Sequence, residues 1–288
     1  MKFFTEIIKL IRVKQWIKNL FIFMPAFFAG SFFEKEIYLN SIYAFLSFCI
    51  ASSSIYILND YVDIEKDKMH PKKRFRPLAS GTISKLQAKI ILVVLLSILA
   101  LFLFVIVPTV KYIILGYIVL NIAYSFKLKQ IAIIDILVIA TGFVMRVFAG
   151  GFATGIEISK WLILLTFFLS LILALAKRRG EINSSGDKSR AALKGYSLPF
   201  IDILITMMSS ITFVSYIMYV TSDDVIAQFK SDYIFISALF VLLGILRYLQ
   251  QTIIFNNTES PTKVIYKDGV IQSSLILWIL FFCYIIYF

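Results

Sequence analysis

FLSFCIASSSIYILNDYVDIEKDKMHPKKRFRPLASG, residues Phe45–Gly81, sets an uncharged greasy run directly against a dense block of charge. The run ends at Leu58. Four carboxylates follow, then seven Lys, Arg or His residues, then RPLASG. Outward from this stretch the chain resembles its greasy half. Of 288 residues, 60% are hydrophobic, 16% are charged and 28 are Phe. Soluble domains are about half apolar and a quarter charged, and a mean hydropathy of +0.87 is far from that class. The composition therefore points to a polytopic membrane protein.

A membrane-spanning helix needs about 20 mostly apolar residues. Nine segments qualify as candidate spans, near 16–33, 38–58, 89–107, 111–127, 131–150, 160–177, 200–220, 232–250 and 273–288. The first follows a basic N-terminus but has no clear small-residue cleavage site, so it reads as a retained helix. With nine crossings, 24 of the 29 Lys and Arg residues fall on one side, four on the other, and Arg146 inside a span. That asymmetry puts the N-terminus in the cytoplasm and the C-terminus outside. The net charge of +12 is thus mainly topological and gives no reason to expect nucleic acid as a partner. Cys49 and Cys283 both lie in apolar runs and lack metal-ligand spacing. One transmembrane domain, 1–288, is expected.

The charged half of the opening stretch carries chemistry. Asp60, Asp63 and Asp67 recur at i, i+3 and i+7, and Asn59, Asp63 and Asp67 at i, i+4 and i+8. Either set lies on one helix face, with Tyr56 a turn earlier, and Pro71 ends the helix. Stacked carboxylates at the edge of a low-dielectric bundle repel one another unless cations are present. Hard oxygens suit Mg²⁺, usually held by one or two carboxylates plus substrate phosphates. Asn59, Asp60, Asp63 and Asp67 are therefore candidate metal ligands; the alternative is a solvated acidic helix end. Lys72, Lys73, Arg74 and Arg76 come next, and guanidinium groups grip phosphate through two parallel bonds. Such residues also serve as topological flags or contacts to anionic lipid. The lone histidine, His70, reads as a loop residue.

NDYVDIEKD matches the Asn-Asp-x-x-Asp-x-x-x-Asp signature of the UbiA superfamily of intramembrane prenyltransferases, which the chain resembles. RVKQWIKN at 12–19, HPKKRFRPLASG at 70–81, YSFKLKQIAIIDI at 124–136, GFVMRVFAGG at 142–151 and LALAKRRGEI at 173–182 are similar to its decaprenyl-phosphate phosphoribosyltransferase branch. From Leu198 onward no motif carries the resemblance. It implies an all-α fold, nine transmembrane helices around a cytoplasm-facing cavity. Typical members carry a second Asp-x-x-x-Asp motif; here the matching stretch runs from Asp135 to Ile139 and lacks its second acid. That departure favours a soluble donor, 5-phosphoribosyl 1-diphosphate (PRPP), over a prenyl diphosphate.

Further candidates gather around this expectation. Asp135, Gly142 and Arg146 share a helix face, and an ionisable group inside a span usually faces the bundle interior. Arg146 is thus either an anion ligand or part of a structural pair. Gly150 and Gly151 read as the break that ends span five. Lys14, Lys18 and Asn19, then Tyr124, Lys127 and Lys129, then Lys177, Arg178 and Arg179 form further basic clusters, expected at the same cytoplasmic mouth. Asp60, Asp63 and Asp135 are the candidate catalytic carboxylates. The implied reaction is Mg²⁺-dependent attack by a polyprenyl phosphate on PRPP, with diphosphate leaving. The partners are these two substrates and the bilayer, with a homo-oligomer left open. The rivals are a prenyltransferase acting on an aromatic acid, and a transporter without chemistry. The latter would favour inverted repeats with broken helices, which the sequence does not display.

Overall fold

The computed structural model describes residues 2–69, 72–185, 191–257 and 261–287; His70 and Pro71 lie outside them. Helices are the regular elements of the described residues, which contain no strand. Among the described residues eight helices are long and apolar enough to cross a membrane: Lys35–Val62, Lys85–Val105, Pro108–Phe126, Ile134–Thr154, Lys160–Asn183, Leu198–Val220, Asp232–Ile254 and Gly269–Tyr287. The chain is an integral membrane protein. Local signals set the helix starts. Ser84 accepts from the Gln87 N–H at 3.2 Å and donates its own N–H to Gln87 Oε1 at 2.8 Å, a reciprocal cap on Lys85–Val105. Ser197 caps Leu198–Val220, with Pro199 in the first turn, where no N–H is needed.

The first expected span, 16–33, takes a different form. Val13–Phe23 is a 3₁₀ helix, followed by the short α-helix Met24–Phe28. Arg12, at φ 54°, precedes it and Gly30, at φ 73°, follows. Pro25 lacks an N–H and marks the change of helix type. Trp16 Nε1 donates to Ser53 Oγ at 3.0 Å, and Ser53 Oγ donates to the Ile11 carbonyl at 2.8 Å. These bonds tie the segment to Lys35–Val62 at polar points.

The chain forms two compact units, Met1–Phe126 with Met145–Ile158, and Lys127–Val144 with Ser159–Phe288. In the first, Lys35–Val62 is the central helix: 61% of its most apolar window is buried, against 11% for Lys85–Val105. Its Ala44, Ser47, Ala51, Ser52, Ser53 and Ser54 are buried, and small residues let neighbouring helices approach closely. Lys85–Val105 instead exposes Val93, Leu101 and Phe104, as a lipid-facing helix does. Gly150 and Gly151 do not break their helix, which continues to Thr154. A Cβ at Gly150 would lie 1.9 Å from the Ile22 carbonyl oxygen. The glycine is a point of backbone contact with the 3₁₀ segment, and Gly155, at φ +71°, follows the helix end.

In the second unit Ile136, Ala140, Leu171, Leu175, Ile201 and Ile205 build the core. Arg179 acts as a knot. It donates to Asp202 Oδ1 at 2.7 Å, to the Thr252 carbonyl at 2.8 Å and to Asn256 Oδ1 at 2.5 Å. It thereby joins Lys160–Ser185 to Leu198–Val220 and to the π-helical turn Gln250–Ile254. Trp278 Nε1 donates to Tyr216 Oη at 2.7 Å, and Tyr216 is 2.7 Å from Ser237 Oγ. Polar bonds between helices matter here because lipid gives no hydrophobic drive to helix association.

Candidate active site

The acidic helix end is bent. Lys35–Val62 stops at Asp63 and Ile64–Lys68 resumes after it; Asp63 N–H donates to the Asn59 carbonyl at 3.0 Å and Asp67 N–H to the Asp63 carbonyl at 2.8 Å. Asp60 and Asp67 are buried, at 2% and 3% exposure, while Asp63 is only half-buried. The RPLASG loop returns to this end because Leu78 and Ile83 sink into an apolar cluster with Leu10, Ile57 and Ile64. Thr82 adds a hydroxyl bond to Glu6 at 3.1 Å. The return carries Arg76 onto the acids. Its Nη1 lies 3.0 Å from Asp60 Oδ1 and 2.6 Å from Asp67 Oδ2. Arg12 Nη2 donates to the same Asp60 oxygen at 2.5 Å, with its guanidinium 4.7 Å above the Tyr56 ring.

Two buried carboxylates thus meet on a single cationic nitrogen. The set is hard oxygen and converges on one positive centre, which fits Mg²⁺. Among the described residues no group of three or more His, Cys, Asp or Glu gathers closely enough to enclose a metal. A cation between Asp60 and Asp67 would therefore take its other ligands from substrate and water. Of the expected set Asn59, Asp60, Asp63 and Asp67, the structure brings Asp60 and Asp67 together on Arg76. Asn59 contributes its carbonyl to the helix, and Asp63 occupies the bend.

The expected basic residues take different places. Lys14 and Arg74 are exposed; Lys18 and Lys73 are half-buried. Arg74 lies over the Phe75 ring at 4.8 Å. Asn19 and Arg146, both expected to bind substrate, bind each other inside the first unit. Arg146 Nε donates to Asn19 Oδ1 at 2.7 Å and Nη2 to Tyr117 Oη at 2.9 Å, while Asn19 Nδ2 donates to Cys49 Sγ at 3.1 Å. The Phe48 and Tyr117 rings lie 5.7 and 4.9 Å from the guanidinium carbon. These hydrogen-bond partners of Arg146 are an amide oxygen and a phenol, neither a buried acid nor a helix-end carbonyl. Tyr124 is half-buried in the same unit.

In the second unit Lys127 and Lys177 are exposed and Lys129 is half-buried. Asp135 and Arg178 are fully enclosed, at 0% and 1% exposure. Arg178 Nε donates to Asp135 Oδ2 at 2.6 Å, Tyr196 Oη donates to Asp135 Oδ1 at 2.8 Å, and Arg178 Nη1 pairs with Glu181. Asp135 was expected as a catalytic acid and Arg178 as a substrate ligand. In this structure both oxygens of Asp135 accept hydrogen bonds within the protein, from Arg178 and Tyr196.

Sequence reasoning passed over Arg12, Tyr117, Tyr196, Asp202 and Asp268. Arg12 opens the RVKQWIKN motif, so the signal was present; its left-handed backbone was not legible. Asp268 lies between spans and takes Arg247 Nε at 2.9 Å and Gln251 Nε2 at 2.6 Å. The Arg247 hydrogen bond holds its carboxyl below the ordinary carboxylate range.

Known proteins bear on this geometry. The family model of the UbiA prenyltransferase family matches residues 20–267. A decaprenyl-phosphate phosphoribosyltransferase of Corynebacterium glutamicum is 32% identical over 96% of this chain and 84% of its own length. Its namesake in Mycolicibacterium smegmatis is 33% identical, covering 96% and 90%. Among solved structures, a UbiA homolog from Archaeoglobus fulgidus bound to DMAPP and Mg²⁺ superposes with a TM-score of 0.71 at 18% identity, covering 98% of this chain and 99% of that one. An apo UbiA homolog from Aeropyrum pernix K1 gives 0.70 at 14%, covering 92% and 98%. These two likenesses concern the fold.

Proposed function

The chain belongs to the UbiA prenyltransferase family, and on that premise we propose that it transfers 5-phosphoribose from PRPP to a polyprenyl phosphate and releases diphosphate. The phosphoribosyltransferase relatives, near one-third identical along almost the whole chain, support this reading. The observation that carries it is the convergence of Asp60 and Asp67 on Arg76, while Asp135, alone where a second acidic motif would stand, is taken by Arg178 and Tyr196.

In this reaction an oxygen of the lipid phosphate bonds to the anomeric carbon as the bond from that carbon to diphosphate breaks. Asp60 and Asp67 would hold Mg²⁺, which when bound neutralises charge gathering on the leaving diphosphate. Arg76 and Arg12, released from the carboxylates, would turn their guanidinium groups to phosphate oxygens. Lys14, Lys18, Lys73 and Arg74 supply further positive charge to orient the donor. A carboxylate beside the ribose would stabilise its oxocarbenium character. The attacking phosphate is already an anion, so no protein nucleophile is required. The acceptor's isoprenoid tail stays in the bilayer.

The charge asymmetry supports a cytoplasmic N-terminus and acidic mouth, where a water-soluble donor arrives. The test incubates purified protein with Mg²⁺, labelled PRPP and a polyprenyl phosphate. A labelled chloroform-soluble product with diphosphate release is expected. Product formed only from a prenyl diphosphate and an aromatic acid would overturn the proposal.

A further inference from the structure

Lys2–Leu10 is a nine-residue α-helix with two unlike sides. Thr5, Glu6 and Lys9 share one side, and Phe3, Phe4, Ile7, Ile8 and Leu10 the other. The polar side is satisfied within the protein: Glu6 accepts from Lys9 Nζ at 2.6 Å and from the Thr82 hydroxyl at 3.1 Å. The apolar side is divided. Ile7 and Leu10 pack with Ile57, Leu78, Ile83 and Ala88. Phe3 and Phe4 stay 50% and 67% exposed, and Ile8 is exposed with them. Two neighbouring phenyl rings held at a surface mark a contact with something apolar.

The surroundings identify that contact as the bilayer. At 1.5 Å per residue the helix extends about 14 Å, too little to cross a hydrocarbon core of about 30 Å. Its buried residues share a cluster with Ala88, Ile91 and Leu92, at the start of Lys85–Val105. That helix exposes Leu86, Ile90 and Val93, as a lipid-facing helix does. The exposed rings therefore continue a lipid-facing surface at its end. An amphipathic helix so placed lies in the interface plane, its apolar side sunk about 5–10 Å into the boundary between headgroups and acyl chains. The helix also ends on a hinge. Ile11 N–H donates to the Ile7 carbonyl at 2.9 Å and Arg12 N–H to the Lys9 carbonyl at 3.3 Å. Arg12, at φ 54°, then turns the chain into the 3₁₀ segment, and its guanidinium reaches Asp60.

We propose that Lys2–Leu10 is an interfacial anchor: Phe3, Phe4 and Ile8 insert into the adjoining leaflet, and the bilayer thereby holds the helix end from which Arg12 reaches Asp60. The occupant of the exposed side is lipid, not a second copy of the chain. The anchor is independent of the reaction proposed above and is read without measuring it.

The experiment uses the full chain in phosphatidylcholine–phosphatidylglycerol vesicles at low protein-to-lipid ratio. In a Cys49→Ser, Cys283→Ser background, nitroxide labels are placed singly at Phe4→Cys, Thr5→Cys, Ile8→Cys and Lys9→Cys. Collisions with oxygen, relative to those with a water-soluble nickel chelate, are expected to be about tenfold more frequent at 4 and 8 than at 5 and 9. Equal ratios at all four positions overturn the anchor. Dipolar broadening between labels at position 4 places a second copy there and overturns it too. Wild-type chain in vesicles whose phospholipid carries a diazirine on its acyl chain gives a reading free of substitutions. Acyl label is expected within residues 3–8 as well as 86–101, and label in 86–101 alone overturns the proposal. For the hinge, amide exchange is compared between wild type and Phe3→Ser/Phe4→Ser. Exchange at Ile11 and Arg12 is expected to rise about tenfold in the double variant, with residues 86–101 unchanged. Equal exchange in the two proteins overturns the bracing of Arg12.

Discussion

At the residue scale the informative contact is Arg76 Nη1 between Asp60 and Asp67. On the proposed function a guanidinium and a divalent cation would compete for the same two carboxylates. Replacing Asp67 with Asn removes one anionic ligand and leaves the neighbouring arginines in excess. Transfer is expected to fall about 10²-fold or more, the scale of a lost electrostatic stabiliser. The half-saturating Mg²⁺ concentration should rise with it, and chelation should abolish activity in wild type until Mg²⁺ is restored. A Mg²⁺ titration of purified Asp67→Asn and Asp63→Asn checks this. Asp63 lies at the bend and is less buried, so its substitution should shift the Mg²⁺ requirement less. Equal shifts would argue for the full acidic face instead of the Asp60–Asp67 pair.

At the element scale the segment 13–28 differs most from expectation. Eleven residues of 3₁₀ helix and five of α-helix follow one another there. At about 2.0 Å per 3₁₀ residue and 1.5 Å per α residue the two extend roughly 30 Å, the thickness of a hydrocarbon core. A stretched helix type thus gives a short segment the reach of a longer one. Gly150 lets the segment approach Ile134–Thr154, and the Ile22 carbonyl leaves no space there for a side chain. Gly150→Val forces a methyl-bearing Cβ against backbone, which side-chain adjustment does not relieve. Such overpacking typically costs about 1–3 kcal/mol, and a clear fall in thermal midpoint in detergent is expected. Gly155→Ala tests backbone strain separately, since φ is +71° but nothing lies within 4 Å.

At the scale of the whole molecule, the distribution of cations and the number of crossings are linked. The 24-to-4 asymmetry of Lys and Arg holds only when residues 13–28 cross the bilayer. The eight long helices alone would keep the four basic loops on one face and move the five cations of the N-terminus to the other, weakening the asymmetry to 19 against nine. We therefore expect nine crossings, with the 3₁₀ segment as the irregular one. A reporter active only outside the cytoplasm, fused after Phe288, should be active, and one fused within 72–85 should be silent. A third reporter, fused ahead of Met1, should be silent; an active N-terminal fusion would make the count even and remove the first crossing.

Apolar run length, basic-loop asymmetry and the NDYVDIEKD spacing were enough to determine a helical membrane protein with an acidic site at the end of its second expected span. Those properties are local: hydrophobic transfer sums along a segment, and i, i+3, i+7 spacing fixes a helix face. Partner choice was not local. Asp135 accepts from Arg178 and Tyr196, 43 and 61 residues away in sequence. Arg146 donates to Asn19 and Tyr117, again far along the chain. A buried charge must find a partner wherever the fold brings one, and sequence spacing says nothing about contacts made across helices. The tertiary structure alone decided which side chains these charges pair with.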